Sequence, residues 1–283
     1  MKKIKIYYAL YSTYGFYSAI IIILNNLIYR LLKKRPLLTP IEYHKNYLNK
    51  KIIKISNSKV MSGIYKNTHL ENKSHWSKFD YASKLLGFYE EQIQNLIVDI
   101  QKKNNLKTLI NIGCGDGYHA LGLVKNKFFN KSICYDISLE ARNILETNVK
   151  KNNLYDKFTI RKEANIDEIK KDLQKLKSEE TLFLIDIEGT EFTLFKDEDL
   201  NFLKKSFIVI EDHNFLIKDN ELKEKFYSSL HKYFNVALIE NGPRNPFIIQ
   251  NDFLDQLNDD SRFLLLGEGR PQKMGWIFLS PKY

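Results

Sequence analysis

The sequence predicts an α/β fold: a doubly wound, mostly parallel seven-stranded sheet flanked by helices and preceded by a helical N-terminal extension. From Lys107 onward, short apolar runs suited to buried strands alternate with segments of helical periodicity, which is typical of a parallel sheet covered on both faces. The first apolar run ends in a glycine-rich turn that leads directly into a helix. With 283 residues, 43% of them hydrophobic, the chain is long enough for one large domain, with or without an appendage.

The N-terminal segment differs from the rest in charge and hydropathy. Residues 1–51 contain ten lysines and arginines against a single acid, whereas residues 52–283 contain 34 basic and 33 acidic residues. The uncharged run from Ile6 to Tyr29 is long enough to cross a bilayer as a helix, and its tyrosines and basic flanks suit a membrane interface. We therefore expect residues 1–40 to be a membrane anchor, spanning or interfacial. The alternative is a helix packed on the protein's own apolar surface.

The remaining chain is nearly neutral, which argues against DNA or RNA as a partner, because a nucleic-acid-binding domain would carry its own basic surface. Cys114 and Cys134 both fall beside predicted core strands and have no metal-binding spacing, which fits a reduced, cytoplasmic setting. Together with the N-terminal segment, this predicts a cytoplasmic protein that is membrane-associated or crosses the membrane once. Residues 41–82 are interpreted as a mixed connector, in which residues 60–65 suggest a short strand and turn. Residues 83–283 are the predicted catalytic domain.

Strands and helices alternate through this domain. The predicted strands are residues 107–112, 131–136, 158–161, 181–187, 206–211, 235–239 and 275–279. The predicted helices include residues 83–101, 139–151 and 166–176. Tyr89, Glu90 and Glu91 lie within the first of these helices, where we interpret them as a core tyrosine and two solvated carboxylates.

The glycine-rich turn is the candidate nucleotide site. Gly113, Gly115 and Gly117 follow the first strand at every second position, and Tyr118 begins a helix. Glycines let the backbone turn sharply and approach a ligand, and a helix N-terminus directs free N–H groups toward it. Asp136 lies 19 residues after Gly117, at the end of the second strand. A carboxylate at this position commonly holds ribose hydroxyls.

The Gly-x-Gly-x-Gly spacing leaves less room for a pyrophosphate than the dinucleotide fingerprint does, and it resembles motif I of the class I S-adenosylmethionine (SAM) methyltransferases. The resemblance implies a Rossmann-like fold with SAM as cofactor. Glu163, after the third strand, would accept from the adenine amino group, whereas Asn111 stands where class I enzymes often carry an acid. The predicted cofactor-binding residues are Asn111, Gly113, Cys114, Gly115, Gly117, Tyr118, Asp136, Ile137, Glu163, Ala164 and Asp186.

The end of the fourth strand carries three carboxylates within six positions, Asp186, Glu188 and Glu191, which are costly to bury unpaired. The run Leu-Ile-Asp-Ile-Glu-Gly-Thr-Glu resembles the Ile-Asp-Val-Glu-Gly-Ala-Glu signature of FkbM-type methyltransferases. These are SAM-dependent O-methyltransferases that often act on sugars or polyketide-like products. The resemblance covers residues 83–215 and implies methyl transfer to a sugar, glycan, lipid-linked or other small-molecule acceptor.

Three residues are candidates for the chemistry. Asp186 is placed near the methyl group by its position, and Glu211 and His213, at the end of the fifth strand, are the candidate bases. The three could also form an oxygen and nitrogen metal site, as some O-methyltransferases use, but no metal is assigned from the sequence. Arg244 and Arg270 could bind an anionic or sugar substrate, although a surface or salt-bridged role is favoured for each.

Two other interpretations remain open. The chain could be another nucleotide-type enzyme, such as an NAD-linked oxidoreductase or an aminopropyltransferase. It could also be a membrane-attached scaffold that keeps the fold without turnover, an idea favoured by Asn111, which brings no countercharge to the cofactor. For the methyltransferase, a membrane contact through residues 1–35 would favour a lipid-linked or glycan acceptor.

Overall fold

The computed structural model describes residues 15–17, 19–25, 27–28, 31, 40–71, 80–242, 244–249, 251–270 and 272–282. The chain divides into two compact units, Met1–Tyr47 and Leu48–Tyr283. In the first unit, the described residues between 15 and 31 are helical, and the other residues of the uncharged run lie outside the described part. Within that described part, no helix combines the length and the apolar character needed to cross a bilayer.

The elements are short and closely spaced, as the alternation of apolar and polar runs predicts. Besides the helical residues between 15 and 31, the α-helices in the described residues are α1 (Pro40–Ser56), α2 (Tyr81–Leu86), α3 (Glu91–Asn104), α4 (Tyr118–Lys125), α5 (Leu139–Lys151), α6 (Ile166–Leu173), α7 (Glu191–Leu194), α8 (Asp197–Leu203), α9 (Asn220–Tyr233), α10 (Asp252–Asp255) and α11 (Asp259–Leu266). The strands are β1 (Thr108–Ile112), β2 (Lys131–Tyr135), β3 (Phe158–Arg161), β4 (Thr181–Ile185), β5 (Phe207–Asp212), β6 (Phe234–Glu240) and β7 (Gly275–Pro281).

The seven strands form one mixed sheet in the order β3-β2-β1-β4-β5-β7-β6. Strands β1 to β5 pair in parallel, whereas β7 is antiparallel to both β5 and β6. This confirms the predicted α/β fold with a mostly parallel seven-stranded sheet. The winding direction reverses between β1, which pairs with β2 on one side, and β4 on the other. Such a switch point opens a crevice at the carboxyl ends of the strands.

The central strands β1, β4 and β5 are buried on both faces, which explains why they are almost continuously apolar, whereas the edge strands β3 and β6 are partly exposed. Along β4, Leu182 and Leu184 enter one hydrophobic cluster, and Phe183 and Ile185 enter the other. Alternate side chains of a strand point to opposite faces, so helices must cover the sheet on both sides.

The single helix predicted over residues 83–101 is wrong, because the chain turns at Gly87 between α2 and α3. Gly87 has a φ angle of +88°, in the left-handed region, and a Cβ there would lie 2.1 Å from the backbone oxygen of Ser62. Only glycine fits this close approach. As a result Glu90 precedes the first turn of α3 instead of lying in the middle of a helix.

Residues 48–71 belong to the same compact unit as the sheet. The strand predicted over residues 60–65 is absent: these residues are irregular or in turns, and the nearest pairing is an isolated bridge between Lys59 and His69. Tyr65 is fully buried, and its ring lies so close to Gly122 that a Cβ on that glycine would be 2.1 Å from it. The division into connector and catalytic domain stays a prediction.

Candidate active site

A cavity of about 400 Å³ lies at the carboxyl ends of β1, β2 and β4, at the switch point of the sheet. Ligand cavities commonly span roughly 300–1,000 Å³, so its size suits a nucleoside-sized molecule. Ten of the eleven predicted cofactor residues line it, and Gly117 is the exception. Because β2 ends at Tyr135 and β4 at Ile185, Asp136 and Asp186 are the first residues beyond their strands.

The turn after β1 needs glycine for two different reasons. Gly113, Gly115 and Gly117 have φ angles of +77°, +52° and +82°. A Cβ on Gly113 would lie 1.6 Å from the backbone oxygen of Asp186, so two strand ends pass each other with no room for a side chain. A Cβ on Gly115 would meet nothing within 4 Å, so only the backbone angle requires glycine there. Gly117 lies behind the cavity, where a Cβ would be 2.3 Å from Cδ1 of Leu145.

Asp136 ties the end of β2 to the glycine turn. Its Oδ2 accepts a 2.8 Å hydrogen bond from the N–H of Gly115, and its Oδ1 accepts a 2.8 Å hydrogen bond from the N–H of Ser138. An ionised carboxylate offers about four acceptor positions, so about two remain. The side chain lines the cavity. It can therefore hold the turn in place and still accept from two hydroxyl groups of a ligand.

The part of the cavity next to β2 and β3 combines an apolar surface with one carboxylate. Ile137 is exposed although it is a large apolar residue, and it lines the cavity together with Ala164 and Glu163. Glu163 is exposed and follows β3. An apolar surface beside a hydrogen-bond acceptor suits a flat aromatic base that carries an amino group.

Asn111, Cys114 and Tyr118 form a buried part of the cavity wall. Nδ2 of Asn111 donates a 3.2 Å hydrogen bond to the backbone oxygen of Leu184, which orients the amide. A hydrogen bond with Cys134, together with burial, raises the pKa of the Cys114 thiol. Burial raises the pKa of the Tyr118 hydroxyl. Near neutral pH this part of the wall is therefore uncharged.

Glu90 is a site residue that the sequence interpretation missed. It lines the cavity and is only 3% exposed, so its interpretation as a solvated carboxylate is wrong. Its Oε2 lies 2.7 Å from Nε2 of His119, and its Oε1 lies 2.5 Å from Nη2 of Arg270. Burial alone would raise the pKa of Glu90, but the hydrogen bond and charge of His119, with the charge of Arg270, hold it below its ordinary value. The signal that could have found it is Gly87, whose turn separates Glu90 from a helix surface.

Arg270 joins three buried carboxylates that come from distant parts of the chain. Its guanidinium pairs with Glu90 at 2.5 Å, with Glu268 at 2.9 Å and with Glu211. Arg244 also pairs with Glu268. Both arginines therefore have the salt-bridged role, and neither is a free receptor for an anionic substrate.

Asp186, Glu211 and His213 meet where the neighbouring strands β4 and β5 end. One nitrogen or oxygen atom of each lies within 4.8 Å of the others. Nε2 of His213 is 3.7 Å from Oδ1 of Asp186 and 3.6 Å from Oε2 of Glu211. Glu211 and His213 are buried, whereas Asp186 lines the cavity. The structure thus brings the three candidate catalytic residues together, with Asp186 at the cavity and the other two beside it.

Two more carboxylates complete this cluster. Oε2 of Glu188 lies 3.4 Å from Nε2 of His213, and Oε1 of Glu191 lies 3.2 Å from its Nδ1. Burial alone would lower the pKa of His213, but the hydrogen bond with Glu191 and the charges of Glu211, Glu191 and Glu188 raise it. Burial raises the pKa of Asp186 well above its usual range, and the nearby Glu211 carboxylate raises it further.

Sequence comparisons find no matching family model and no matching curated protein. Solved structures of similar shape include an O-methyltransferase from Bacillus cereus in complex with SAH, at 11% identity and a TM-score of 0.47, covering 92% of this chain and 97% of that one. The O-methyltransferase TomG from Streptomyces achromogenes, involved in tomaymycin synthesis and in complex with SAM, matches at 8% identity and a TM-score of 0.46, covering 69% and 82%. Precorrin 8w decarboxylase from Methanobacterium thermoautotrophicum matches at 15% identity and a TM-score of 0.42, covering 68% and 90%. Because these TM-scores lie below 0.5, the function has to be inferred from the chain's own residues.

Proposed function

We propose that the chain is a class I SAM-dependent methyltransferase that methylates an oxygen atom. The observation that carries the proposal is the Asp136 carboxylate, which is tied to the glycine turn through Gly115 and keeps acceptor positions for the cavity. Ribose hydroxyls are the donors that such a carboxylate suits. The short Gly-x-Gly-x-Gly spacing favours a nucleoside without a pyrophosphate.

The lining residues would hold SAM by its separate parts. Asp136 would bind the ribose, and Ile137 and Ala164 would contact the adenine ring, whose amino group would donate to Glu163. Asn111 and the glycine turn would hold the methionine part, with the Asn111 amide oriented by its hydrogen bond to β4. When bound, SAM supplies a sulfonium methyl group that is open to attack by an acceptor oxygen.

Asp186 would lie beside the transferred methyl group, because it lines the cavity directly after β4. The protein has to align the acceptor and remove a proton from its hydroxyl group. The raised pKa of Asp186 makes its ionised form a stronger base than an ordinary aspartate. Arg270 pairs with Glu211, and Glu191 hydrogen-bonds His213. The side chains of Glu211 and His213, which lie beside Asp186, are therefore held in place.

We further propose an enzyme of the FkbM-like kind with a sugar, glycan or lipid-linked acceptor. The support lies in the three carboxylates after β4, two of which line the cavity. Asp186 and Glu188 line the cavity, whereas Glu191 is buried against His213. A cavity with several carboxylates suits an acceptor with many hydroxyl groups, because ionised carboxylates only accept hydrogen bonds.

Isothermal titration of the full chain with SAM, with S-adenosylhomocysteine and with NAD tests the cofactor. We expect one SAM site per chain and no binding of NAD. Asp136→Asn should weaken SAM binding by about 1–3 kcal/mol, because it removes charge-assisted hydrogen bonds. Asp156→Asn is the control, since Asp156 is exposed and does not line the cavity. Binding of NAD in place of SAM would indicate an oxidoreductase, and an unchanged affinity in Asp136→Asn would remove this residue from the site.

Turnover is tested by release of S-adenosylhomocysteine in the presence of a panel of sugar, glycan and lipid-linked acceptors. Release with at least one acceptor that offers a free hydroxyl group is the expected result. Tight SAM binding with no release from any acceptor would favour the non-enzymatic scaffold. In that case Asn111→Asp, which supplies the acid often found in class I enzymes, shows whether the missing countercharge limits the reaction.

We also propose that the N-terminal segment contacts an anionic membrane surface. It is supported by the ten basic residues against one acid in residues 1–51, and by exposed apolar side chains among its helical residues, such as Phe16 and Ile21. Co-sedimentation with phosphatidylserine vesicles should be strong for the full chain and weak after deletion of residues 1–35. Equal partition of the two proteins would contradict the proposal.

A further inference from the structure

His213 has a buried ring nitrogen with no hydrogen-bond partner. The residue is 0% exposed, and Nε2 has no partner among the described residues. The other ring nitrogen, Nδ1, lies 3.2 Å from Oε1 of Glu191, which is 1% exposed. A carboxylate accepts from an N–H group, so Nδ1 carries the proton of the neutral ring. Nε2 then presents its lone pair to its surroundings.

Three carboxylate oxygens surround this lone pair. They belong to Glu188 at 3.4 Å, Glu211 at 3.6 Å and Asp186 at 3.7 Å. Oδ1 of Asp186 is itself buried without a hydrogen-bond partner. Four atoms that can each donate an electron pair thus converge on one point. Such a group is costly to bury unless a proton or a cation lies between its members.

The arginine beside this cluster, Arg270, already pairs with Glu90, Glu211 and Glu268. Arg270 pairs with Glu211 through Oε1, which leaves Oε2 of that residue facing the histidine. In the described part of the chain, no lysine or arginine pairs with Asp186, Glu188 or Glu191. The cluster therefore holds more carboxylates than cationic side chains, and a metal ion would bind there in exchange for any protons that the carboxylates carry.

We propose that Asp186, Glu211 and Nε2 of His213 bind a divalent metal ion, with the Glu188 carboxylate beside them. The three ligand atoms lie within 4.8 Å of one another. In an octahedral site with bonds of about 2.1 Å, adjacent ligands are about 3 Å apart and opposite ones about 4.2 Å, so modest side-chain movements close the site. A set that mixes imidazole with carboxylates favours Mn²⁺, Fe²⁺ or Zn²⁺ over Ca²⁺. Glu191 orients the histidine from its other nitrogen, as outer carboxylates do for metal-bound histidines.

The open coordination positions would face the cavity, because Asp186 and Glu188 both line it. A role of the metal ion in the reaction rests on the methyltransferase proposed above, whereas the metal site itself does not. A metal ion lowers the pKa of an oxygen that it binds. An acceptor hydroxyl on the metal would therefore lose its proton more readily, and the Glu188 carboxylate, which lines the cavity beside the ligands, would take that proton.

Electron paramagnetic resonance and isothermal titration test the site with Mn²⁺ and the EDTA-treated full chain, without SAM. We expect one saturable Mn²⁺ site per chain. Asp186→Asn should weaken Mn²⁺ binding at least tenfold, and Glu191→Gln should weaken it about 10- to 100-fold. Asp212→Asn is the matched control, because Asp212 lies next to Glu211 but hydrogen-bonds Tyr227 and Asn214 instead; its Mn²⁺ affinity should stay that of the unmodified chain.

No saturable Mn²⁺ binding by the folded chain would overturn the metal site and would indicate a protonated His213 among its carboxylates. Binding that Asp186→Asn leaves unchanged would also overturn it, and circular dichroism confirms that the variant is folded. SAM titration in EDTA separates the two proposals. Mn²⁺ binding without SAM binding leaves the metal site standing and removes the methyltransferase, whereas SAM binding without Mn²⁺ binding removes only the metal site.

Discussion

Replacing Arg270 by glutamine should lower the free energy of unfolding by about 3 kcal/mol. The Arg270 side chain is 18% exposed, and the side chains of Glu90, Glu211 and Glu268 are 3%, 5% and 2% exposed. Removing one partner of a buried ion pair costs about 3–5 kcal/mol, because the other charge stays buried without compensation. Arg270 is the one cation that joins these three carboxylates in the described part of the chain.

The lower end of that range applies because two of the carboxylates keep a second partner. Glu90 retains His119, and Glu268 retains Arg244. Glu211 has no other arginine or lysine partner among the described residues. The loss therefore corresponds to one uncompensated buried charge rather than three.

Urea denaturation followed by circular dichroism at pH 7.5 measures the change, and a loss of about 3 kcal/mol lowers Tm by roughly 6–12 °C. Arg270→Lys should be intermediate, because an ammonium is a point charge without the guanidinium fork. Lys273→Gln is the control in the same segment: its pair with Glu240 is exposed, at 71% and 76%, so the change should stay below about 0.5 kcal/mol. A loss in Arg270→Gln no larger than in this control would refute the reasoning.

The difference in the free energy of unfolding between the unmodified chain and Arg270→Gln should become smaller in acid. Although burial would raise it, the pKa of Glu90 is held below its ordinary value by His119 and Arg270. Ionised Glu90 therefore stabilises the fold above its unfolded pKa of about 4.3, and this stabilisation is lost as the pH falls through the lower folded value. Arg270→Gln lacks part of that depression and has less to lose. Acid-unfolding curves that run parallel for the two proteins would contradict this.

Two substitutions in the cavity wall give further predictions. Gly113→Ala should abolish SAM binding and lower Tm, because its Cβ would lie 1.6 Å from a backbone oxygen. Gly115→Ala should cost only about 1–3 kcal/mol of backbone strain. Titration calorimetry and thermal melts compare the two variants, and equal losses of SAM affinity and of Tm would contradict the assignment. Glu163→Gln should weaken SAM binding by about 1 kcal/mol, roughly fivefold, through the adenine amino group. Competition with a SAM analogue dimethylated on that amino group checks it: the analogue has no N–H to donate there, so it should lose little affinity in the variant.

The sheet could be predicted from the sequence because its central strands β1, β4 and β5 are buried on both faces. Continuous apolar runs such as Leu182–Ile185 are typical of such strands. The proximity of Asp186 and His213 followed from the same reasoning, since the carboxyl ends of neighbouring parallel strands meet at one edge, and their catalytic role stays a prediction. Asp186 and His213 are 27 residues apart in the chain, yet they lie 3.7 Å apart.

The parts that could not be predicted depend on contacts distant in sequence. Gly87 is a local signal for a break in the helix, but the contact that requires its turn, with the backbone of Ser62, cannot be read from the pattern. Glutamate is usually found at the surface, and the buried Glu90 carboxylate pairs with Arg270, which lies 180 residues further along the chain. Periodicity describes which face of an element is apolar. It carries no information about which charged side chain will neutralise another.

A crystal structure of the full chain with S-adenosylhomocysteine tests the proposed SAM site most directly. We predict that both ribose hydroxyls donate to the Asp136 carboxylate and that the adenine ring lies against Ile137 and Ala164, with its amino group toward Glu163. A ligand bound away from the glycine turn, or a ribose that does not contact Asp136, would contradict the assignment.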